Sequence, residues 1–347
     1  MALEVVRIIA VSIISFVIAL IATPIVIRSL KRLKMGKQIR QDANAPVYMS
    51  LHKGKEGTPT MGGVIIWGTV LFVALSILVF DWLFDGFWSY MNFIDRAQTY
   101  LPLAALFIGA IFGLADDLLG VFKIGTLGGG INMRHKFAAY IALALIGAWW
   151  FYYRLGIREL HVPFYGDLNV GWLYFPIFMF VIIASAFSAN ETDGLDGLLG
   201  GVSLLAFGAL SVVAFALGKT DLAVMGGAIV GSTLAFLWFN IFPAKFFMGD
   251  TGSMAIGVTL GVMAILTNTV LLLPLFAIIP VIESVSVIIQ RTSKKLFKRK
   301  VFISTPVHHH FEAVGWPESQ VTMRFWIISF VSVGLGLVIF FMDKFSK

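Results

Sequence analysis

Five aspartates stand at the edges of long apolar segments in this 347-residue chain, where a charged side chain is costly. Asp116 and Asp117 are adjacent at the end of one segment, and Asp250 precedes another. Asp193 and Asp196 follow a third segment, within a glycine-containing stretch. Clustered carboxylates repel one another unless a cation lies between them. Because Mg²⁺ prefers oxygen ligands and keeps positions for substrate phosphates, the pattern predicts phosphate chemistry with Mg²⁺.

Three consecutive histidines form a second group that could act on a phosphate. His308, His309 and His310 precede Phe311 and Glu312, in a polar segment between two apolar ones. Adjacent side chains of a regular element point in different directions, so a zinc site made of all three is not expected. The sequence favours hydrogen-bond donors or acid–base groups. A polar loop without a role in the site is the alternative.

A basic, glycine-rich stretch, residues 52–63, combines Lys55 and Thr58 with the pair Gly62-Gly63. Glycines, hydroxyls and lysines together suit a bound anion, but the positive charge that inner membrane loops carry explains such lysines equally well. Both interpretations stay open at this point. The chain has no cysteine, which excludes thiolate chemistry, and no GxxxxGK[ST] loop, which disfavours an ATP-driven pump.

The elements that position these residues must lie in a bilayer. Hydrophobic residues make up 59% of the chain, charged residues only 13%, and the mean hydropathy is +0.90. Such a chain cannot cover a water-facing surface. Segments of about 20 apolar residues are long enough to cross the hydrocarbon core. Ten are predicted to do so: 5–27, 61–80, 99–117, 137–153, 173–190, 198–217, 222–240, 252–268, 270–289 and 325–342.

The connections between the segments carry weaker signals. Asn268 and Pro274 predict a tight turn between the eighth and ninth segments. Residues 81–98 are predicted to form an interfacial loop, and glycines and a proline favour a short hairpin within 156–172. The first segment is interpreted as a retained span rather than a signal peptide. The whole chain, 1–347, is expected to form one membrane domain.

Lys and Arg residues set the predicted orientation. The inner loops are then 28–60, 118–136, 191–197, 241–251 and 290–324, which hold 19 of the 26 basic residues. By the positive-inside rule both termini face outward, and the aspartates lie at the inner ends of their spans. In a membrane protein the location of the charges matters more than the net charge of +7, so no nucleic-acid partner is expected.

Five stretches, in consistent order, resemble the phospho-N-acetylmuramoyl-pentapeptide transferases, a branch of the polyprenyl-phosphate N-acetylhexosamine-1-phosphate transferases. The stretches are residues 57–63, 115–117, 190–197, 247–253 and 306–312. The Thr-Asp-Gly-Leu-Asp-Gly sequence resembles a motif that is shared across the superfamily. The His-His-His-Phe-Glu sequence is similar to the muramoyl-pentapeptide branch in particular.

The resemblance implies an all-α protein of about ten transmembrane helices, in the bacterial inner (plasma) membrane. Both termini would be periplasmic and the active site would lie on the cytoplasmic face. The implied reaction transfers phospho-MurNAc-pentapeptide from UDP-MurNAc-pentapeptide to undecaprenyl phosphate in the bilayer, giving lipid I and UMP with Mg²⁺ as cofactor. This would be the first membrane step of peptidoglycan synthesis.

The same resemblance implies roles for individual residues. Asp116, Asp117, Asp250 and His308 would be catalytic, and Asp250 would bind the metal. The implied substrate-binding residues are Lys55, Thr58, Lys136, Asn190, Asp193, Asp196, His309 and His310. Direct attack by the lipid phosphate is the expected path, and a two-step path through an aspartyl intermediate is the alternative.

Two other functions are weighed against this one. A transferase of the same superfamily that takes UDP-GlcNAc is the nearest alternative, and the triple histidine argues against it. A transporter of anionic lipids or sugar phosphates is a distant alternative, because transporters place charges near the midplane between inverted repeats. Spans rich in small residues allow close packing between helices, including those of two copies, so a homodimer is also considered.

Overall fold

The apolar segments of this chain fold into helices, since a helix satisfies its own backbone hydrogen bonds where no water is present. The computed structural model describes residues 1–36, 55–84, 86–94, 97–125 and 129–346. Within these ranges the regular structure is helical apart from one two-stranded hairpin. The prediction of a helical membrane protein is confirmed, with the hairpin as its exception.

Thirteen α-helices are found in the described part of the chain, with a π-helical turn at Trp150–Arg154 after the fifth and a 3₁₀ turn at Gly171–Leu173 before the sixth. In chain order the helices are α1 (Ala2–Arg32), α2 (Val64–Leu83), α3 (Phe87–Met91), α4 (Ala97–Val121), α5 (Met133–Trp149), α6 (Tyr174–Thr192), α7 (Leu198–Ala216), α8 (Thr220–Asn240), α9 (Asp250–Leu266), α10 (Leu273–Phe276), α11 (Ile278–Leu296), α12 (Val307–Val314) and α13 (Glu318–Phe345). The strands β1 (Glu159–Val162) and β2 (Gly166–Asn169) lie between α5 and α6.

Seven helices within the described residues are long and apolar enough to cross a membrane: α1, α2, α4, α6, α7, α8 and α13. The other three predicted segments fall mainly in α5, α9 and α11. Both α5 and α9 have 17 residues, and α11 ends in basic residues. The chain is therefore a multi-pass membrane protein, and every predicted segment overlaps a long helix.

The predicted turn and hairpin are both present. Asn268 adopts a φ of 52° in the turn after α9, and Pro274 opens the short helix α10. Strands β1 and β2 pair antiparallel, with Glu159 opposite Asn169 and Val162 opposite Gly166. The hairpin that glycine and proline favoured within 156–172 is thus confirmed.

Two predicted loops contain a short helix that the sequence analysis did not identify. The segment 81–98, predicted to be an interfacial loop, contains α3. The polar segment with the three histidines contains α12, which begins after Pro306 and ends before Gly315 with a φ of 107°. The histidines therefore point from successive positions of a helix rather than from a loop.

Helix α9 lies at the centre of the fold, and almost all of its residues are buried. Glycines let its neighbours approach closely. A Cβ on Gly109 of α4 would lie 3.0 Å from the backbone oxygen of Met254, and one on Gly257 would lie 2.7 Å from the Cα of Ala186 in α6. Because α4 and α6 both contact α9 in this way, the polar ends of the three helices meet at one place.

Candidate active site

A buried group of two carboxylates and one ammonium lies where α4, α5 and α9 meet. The ammonium of Lys136, near the start of α5, lies 2.6 Å from Asp116 Oδ2 and donates a hydrogen bond to the Asp250 carboxylate. The side chains of Lys136 and Asp116 are 8% and 5% exposed. One cation for two carboxylates leaves net negative charge in a region of low dielectric, and such charge attracts another cation.

Asp117, beside Asp116 in sequence, makes different contacts. Its Oδ1 accepts a hydrogen bond from the backbone N–H of Asp250 at 3.1 Å, and its Oδ2 accepts one from Thr251 at 3.0 Å. These N–H groups belong to the first turn of α9 and have no partner within the helix. Asp117 therefore fixes the N-terminus of the helix that presents Asp250.

Two glycines make this approach possible. A Cβ on Gly113, one turn before Asp117 in α4, would lie 2.0 Å from the backbone oxygen of Asp250. Gly249 has a φ of 74°, and a Cβ there would lie 2.5 Å from Asp117 Oδ2. A larger residue at either position would separate α4 from the start of α9, so these glycines are part of the site's geometry.

The polar end of α6 completes the group. Asn190 Nδ2 donates to Asp250 Oδ1 at 2.8 Å and to Ser253 Oγ at 3.3 Å. Asp193 Oδ2 accepts a hydrogen bond from the backbone N–H of Gly249 at 3.1 Å. The stretch after the fifth predicted span is thus joined directly to the stretch before the eighth.

The glycine-rich stretch before α2 pairs with the same region through its backbone. The N–H groups of Gly62 and Gly63 donate to the carbonyl oxygens of Phe247 and Met248 at 2.7 and 2.8 Å. Thr58 lies half-buried in this stretch, and its role stays a prediction. Residues 52–54, the beginning of the predicted anion-binding stretch, lie outside the described residues.

Lys55 joins this stretch to the loop between α6 and α7. Its ammonium lies 2.7 Å from Asp196 Oδ1 and also contacts the carboxylate of Glu318, the first residue of α13. Burial alone would lower the pKa of Lys55, but Glu318 and Asp196 outweigh it and hold that pKa above the usual lysine value. Lys55 is therefore a fixed positive charge with 19% of its side chain exposed.

Of the three histidines, His308 lies against the aspartate-containing loop. Its Nδ1 lies 3.0 Å from Glu283 Oε2 of α11, and a Cβ on Gly194 would lie 2.2 Å from its Nε2. Burial opposes the charged ring, but Glu283 and then Glu312 favour it, so the pKa of His308 is raised above its ordinary value. The ring thus lies beside the loop that carries Asp193, and Glu283 favours its protonated form.

The other two histidines hold local structure. His309 Nδ1 lies 2.7 Å from Glu312 Oε2, one helical turn further along α12. His310 Nδ1 accepts a hydrogen bond from the backbone N–H of Ile303 at 3.2 Å. In both residues Nδ1 therefore has a partner within the segment around α12. That His309 and His310 bind substrate stays a prediction.

The carboxylates around Lys136 are candidate ligands for Mg²⁺. Among the described residues, no group of three or more acidic or histidine side chains is arranged to hold a metal ion. Asp116 and Asp250 nevertheless both contact the Lys136 ammonium, so they lie close together, and both offer hard oxygen atoms. Mg²⁺ commonly takes one or two carboxylates and completes its shell with water and substrate phosphates. The residues fit a metal held in that way.

A large apolar cavity adjoins the polar group. Its volume is about 890 Å³, and it follows α6 from Pro176 to Ala189, next to Asn190. Val285 and Ile288 of α11 line it and are 45% and 55% exposed. The cavity therefore runs along α6 towards Asn190, which does not itself line it, and passes exposed apolar side chains of α11.

Some residues of the site were not identified from the sequence. Glu318 contacts Lys55 and accepts a hydrogen bond from the backbone N–H of Asp196 at 2.7 Å. Asn240, the last residue of α8, accepts one from Gly197 at 3.0 Å and donates to the Phe246 carbonyl at 2.8 Å. An amide at the very end of an apolar span was the signal for Asn240.

A family model and a signature model match parts of the chain. The model described as "Glycosyl transferase family 4" matches residues 99–268, which include Asp116, Asp117, Lys136 and Asp250. The model described as "Phospho-N-acetylmuramoyl-pentapeptide-transferase signature 1" matches residues 55–66, the stretch that begins at Lys55.

Curated relatives match over nearly the whole chain. A protein of Geobacillus thermodenitrificans (strain NG80-2) is 38% identical over 330 residues, or 94% of this chain and 95% of the relative. One of Geobacillus sp. (strain WCH70) is 37% identical over 97% of this chain and 98% of its own length. One of Borrelia hermsii is 36% identical over 94% and 93%. All three are named phospho-N-acetylmuramoyl-pentapeptide-transferase, and with such identity over such lengths this chain belongs to the phospho-N-acetylmuramoyl-pentapeptide-transferase family.

Proposed function

We propose that this protein transfers phospho-MurNAc-pentapeptide from UDP-MurNAc-pentapeptide to undecaprenyl phosphate, releasing UMP and leaving lipid I in the membrane. The observation that carries the proposal is the convergence of Asp116 and Asp250 on the Lys136 ammonium, with Asn190 donating a hydrogen bond to Asp250. Family membership supplies the reaction class, and this convergence supplies a place where charged phosphates can react.

The two substrates reach this place from different sides. Lys55 would bind the diphosphate of the water-soluble donor. The apolar cavity along α6 is wide enough for hydrocarbon and would hold the polyprenyl chain of the acceptor. The acceptor phosphate would then lie near Asn190, beside the carboxylate of Asp250.

Direct attack is the path that the contacts favour. An oxygen of the lipid phosphate attacks the β-phosphorus of the donor, and the bond to the UMP oxygen breaks. Asp117 is poorly placed to form a covalent intermediate, because both of its oxygens accept backbone N–H groups. Asp116 can orient the attacking phosphate, and Lys136 can neutralise charge that develops on the transferred group.

Mg²⁺ is part of the proposal. Asp250 and Asp116 would hold it, and when bound it would neutralise phosphate charge and stabilise the departing UMP. His308, whose pKa Glu283 raises above its ordinary value, would add positive charge in its protonated form at the loop that would face the diphosphate.

The proposed setting is the bacterial inner membrane. Ten helices would cross it, with α5, α9 and α11 as the spans beyond the seven that length and hydropathy identify. Both termini would face the periplasm, and the Asp250 region would face the cytoplasm, where the basic loops lie.

Donor discrimination tests the reaction. Detergent-purified protein is given undecaprenyl phosphate and Mg²⁺ with either UDP-MurNAc-pentapeptide or UDP-GlcNAc, and UMP release is measured. We expect release from the first donor only. Release from UDP-GlcNAc alone would assign the chain to the sister branch, and the absence of release from both donors would refute a transferase of this kind.

A further inference from the structure

One face of the last helix holds the loop that contains Asp196. Glu318, Thr322 and Trp326 are spaced four residues apart on α13, so their side chains lie on the same face. Glu318 accepts the N–H of Asp196 at 2.7 Å. Thr322 Oγ1 donates to the Asp196 carbonyl, and Trp326 Nε1 donates to that of Gly197, each at 3.2 Å.

Glu318 differs from the other two because it also carries charge. Its carboxylate contacts the ammonium of Lys55, and Asp196 Oδ1 lies 2.7 Å from the same ammonium. Lys55 is thus shared between two carboxylates, one from the loop and one from α13. The Glu318 side chain is 10% exposed, so solvent screens these charges only weakly.

Capping the loop does not require the negative charge of Glu318. A neutral amide oxygen can also accept a backbone N–H in this loop, as Asn240 Oδ1 does for Gly197. A carboxylate beside Lys55 instead lowers the positive charge that a phosphate would meet there. Because two carboxylates share one lysine, the net charge is negative at the place where the diphosphate of the nucleotide would bind.

We propose that Glu318 is a positioning residue that acts through Lys55, holding the ammonium in place and weakening the site's affinity for the uridine nucleotide product. The inference rests on the proposed function, since it assumes that Lys55 faces the nucleotide phosphates. The consequence is faster release of UMP, at the expense of weaker ground-state binding.

The substitution Glu318→Gln separates charge from capping. Glutamine keeps the length of the side chain and an oxygen for the Asp196 N–H, but removes the charge. We expect UMP to bind about 3- to 10-fold more tightly, the size of effect expected for a single partly screened charge. Turnover of the donor should fall or stay level while its KM falls. Glu318→Ala also removes the acceptor and should weaken binding.

The experiment is calorimetric titration of the purified full-length protein with UMP at two salt concentrations, alongside donor kinetics and thermal melting. Glu4→Gln is the matched control, because Glu4 pairs with Arg7 at 3.4 Å far from Lys55. It should bind UMP as the wild type does. Glu318→Asp keeps the charge and should stay closer to wild type than Glu318→Gln.

A double-mutant cycle shows whether Glu318 acts through Lys55. In a Lys55→Met background, Glu318→Gln should change UMP affinity less than about twofold. The inference is overturned if Glu318→Gln leaves UMP affinity unchanged or weakens it, or if the full effect persists without Lys55. Failure of the proposed function looks different: the wild-type protein itself would then release no UMP from either donor.

Discussion

Lys136 Nζ lies 2.6 Å from Asp116 Oδ2, which places a lysine from the start of one helix against an aspartate near the end of the preceding one. The same ammonium reaches Asp250 at the start of α9. Lys136 is therefore the central charge that lets carboxylates from α4 and α9 approach each other. Its removal should affect the fold as well as the chemistry.

Lys136→Met should lower both stability and activity. Removing one partner of a buried ion pair leaves unpaired charge and costs about 3–5 kcal/mol. Thermal melting in detergent measures the loss, and adding Asp250→Asn should recover part of it, because only one of the two carboxylates that contact Lys136 then remains charged. Lys245→Met, at an exposed lysine, is the control and should melt as the wild type does. Equal melting of Lys136→Met and wild type would contradict the buried-pair interpretation.

Asp117→Asn tests the capping role of Asp117. An amide has one acceptor oxygen, so one of the two N–H groups at the start of α9 loses a charged partner, at about 1.5–3 kcal/mol. Hydrogen exchange at the amides of Asp250 and Thr251 should accelerate. Asp81→Asn, which alters an aspartate at the end of α2, should leave these amides unchanged. Unchanged exchange in Asp117→Asn would show that Asp117 does not fix this turn.

Much of the fold follows from patterns within short stretches of sequence. Apolar length predicted where each long helix lies, because crossing lipid requires about 20 apolar residues whatever the neighbouring helices are. Asn268 and Pro274 marked the turn after α9 for an equally local reason. The helix α12 was missed although Pro306 and Gly315 flank it, since three histidines suggested a polar loop.

The contacts that each residue of the site makes could not be predicted in the same way. Asp116 and Asp117 are adjacent in sequence, yet one pairs with Lys136 and the other caps α9, and only helix packing decides which does which. Glu318 was missed for another reason. An acidic residue after Pro317 is expected at any helix N-terminus, so nothing in the sequence indicates its contact with Lys55.

The ion pair of His308 with Glu283 should make stability depend on pH. Because the folded-state pKa of His308 is raised, its contribution is complete below the unfolded value near 6.5 and is lost as pH rises through the folded value. The melting temperature should therefore fall as the pH rises from about 6.5 through the folded-state pKa of His308. His308→Gln should remove this dependence, whereas His135→Gln, at an exposed histidine, should retain it. A wild-type melting temperature that rises over this range would contradict the assignment.

Filling the apolar cavity should affect the lipid substrate alone. Val285 lines the cavity, so Val285→Trp should raise the KM for undecaprenyl phosphate several-fold and leave the donor KM unchanged. Ile289, on the same helix and 42% exposed, does not line it, and Ile289→Trp is the matched control. Equal effects of the two substitutions, or a change in donor KM only, would place the acceptor elsewhere.

The Asp250 carboxylate, held by Lys136 and Asn190, is the proposed place where the phosphates react. The most direct measurement is UMP release from UDP-MurNAc-pentapeptide and undecaprenyl phosphate, with and without Mg²⁺, for wild type, Asp250→Asn and the exposed control Asp167→Asn. Wild type and control should release UMP only with Mg²⁺, and Asp250→Asn should be slower by about 100-fold or more. Release by Asp250→Asn within a few-fold of wild type, from protein that melts normally, would contradict the claim.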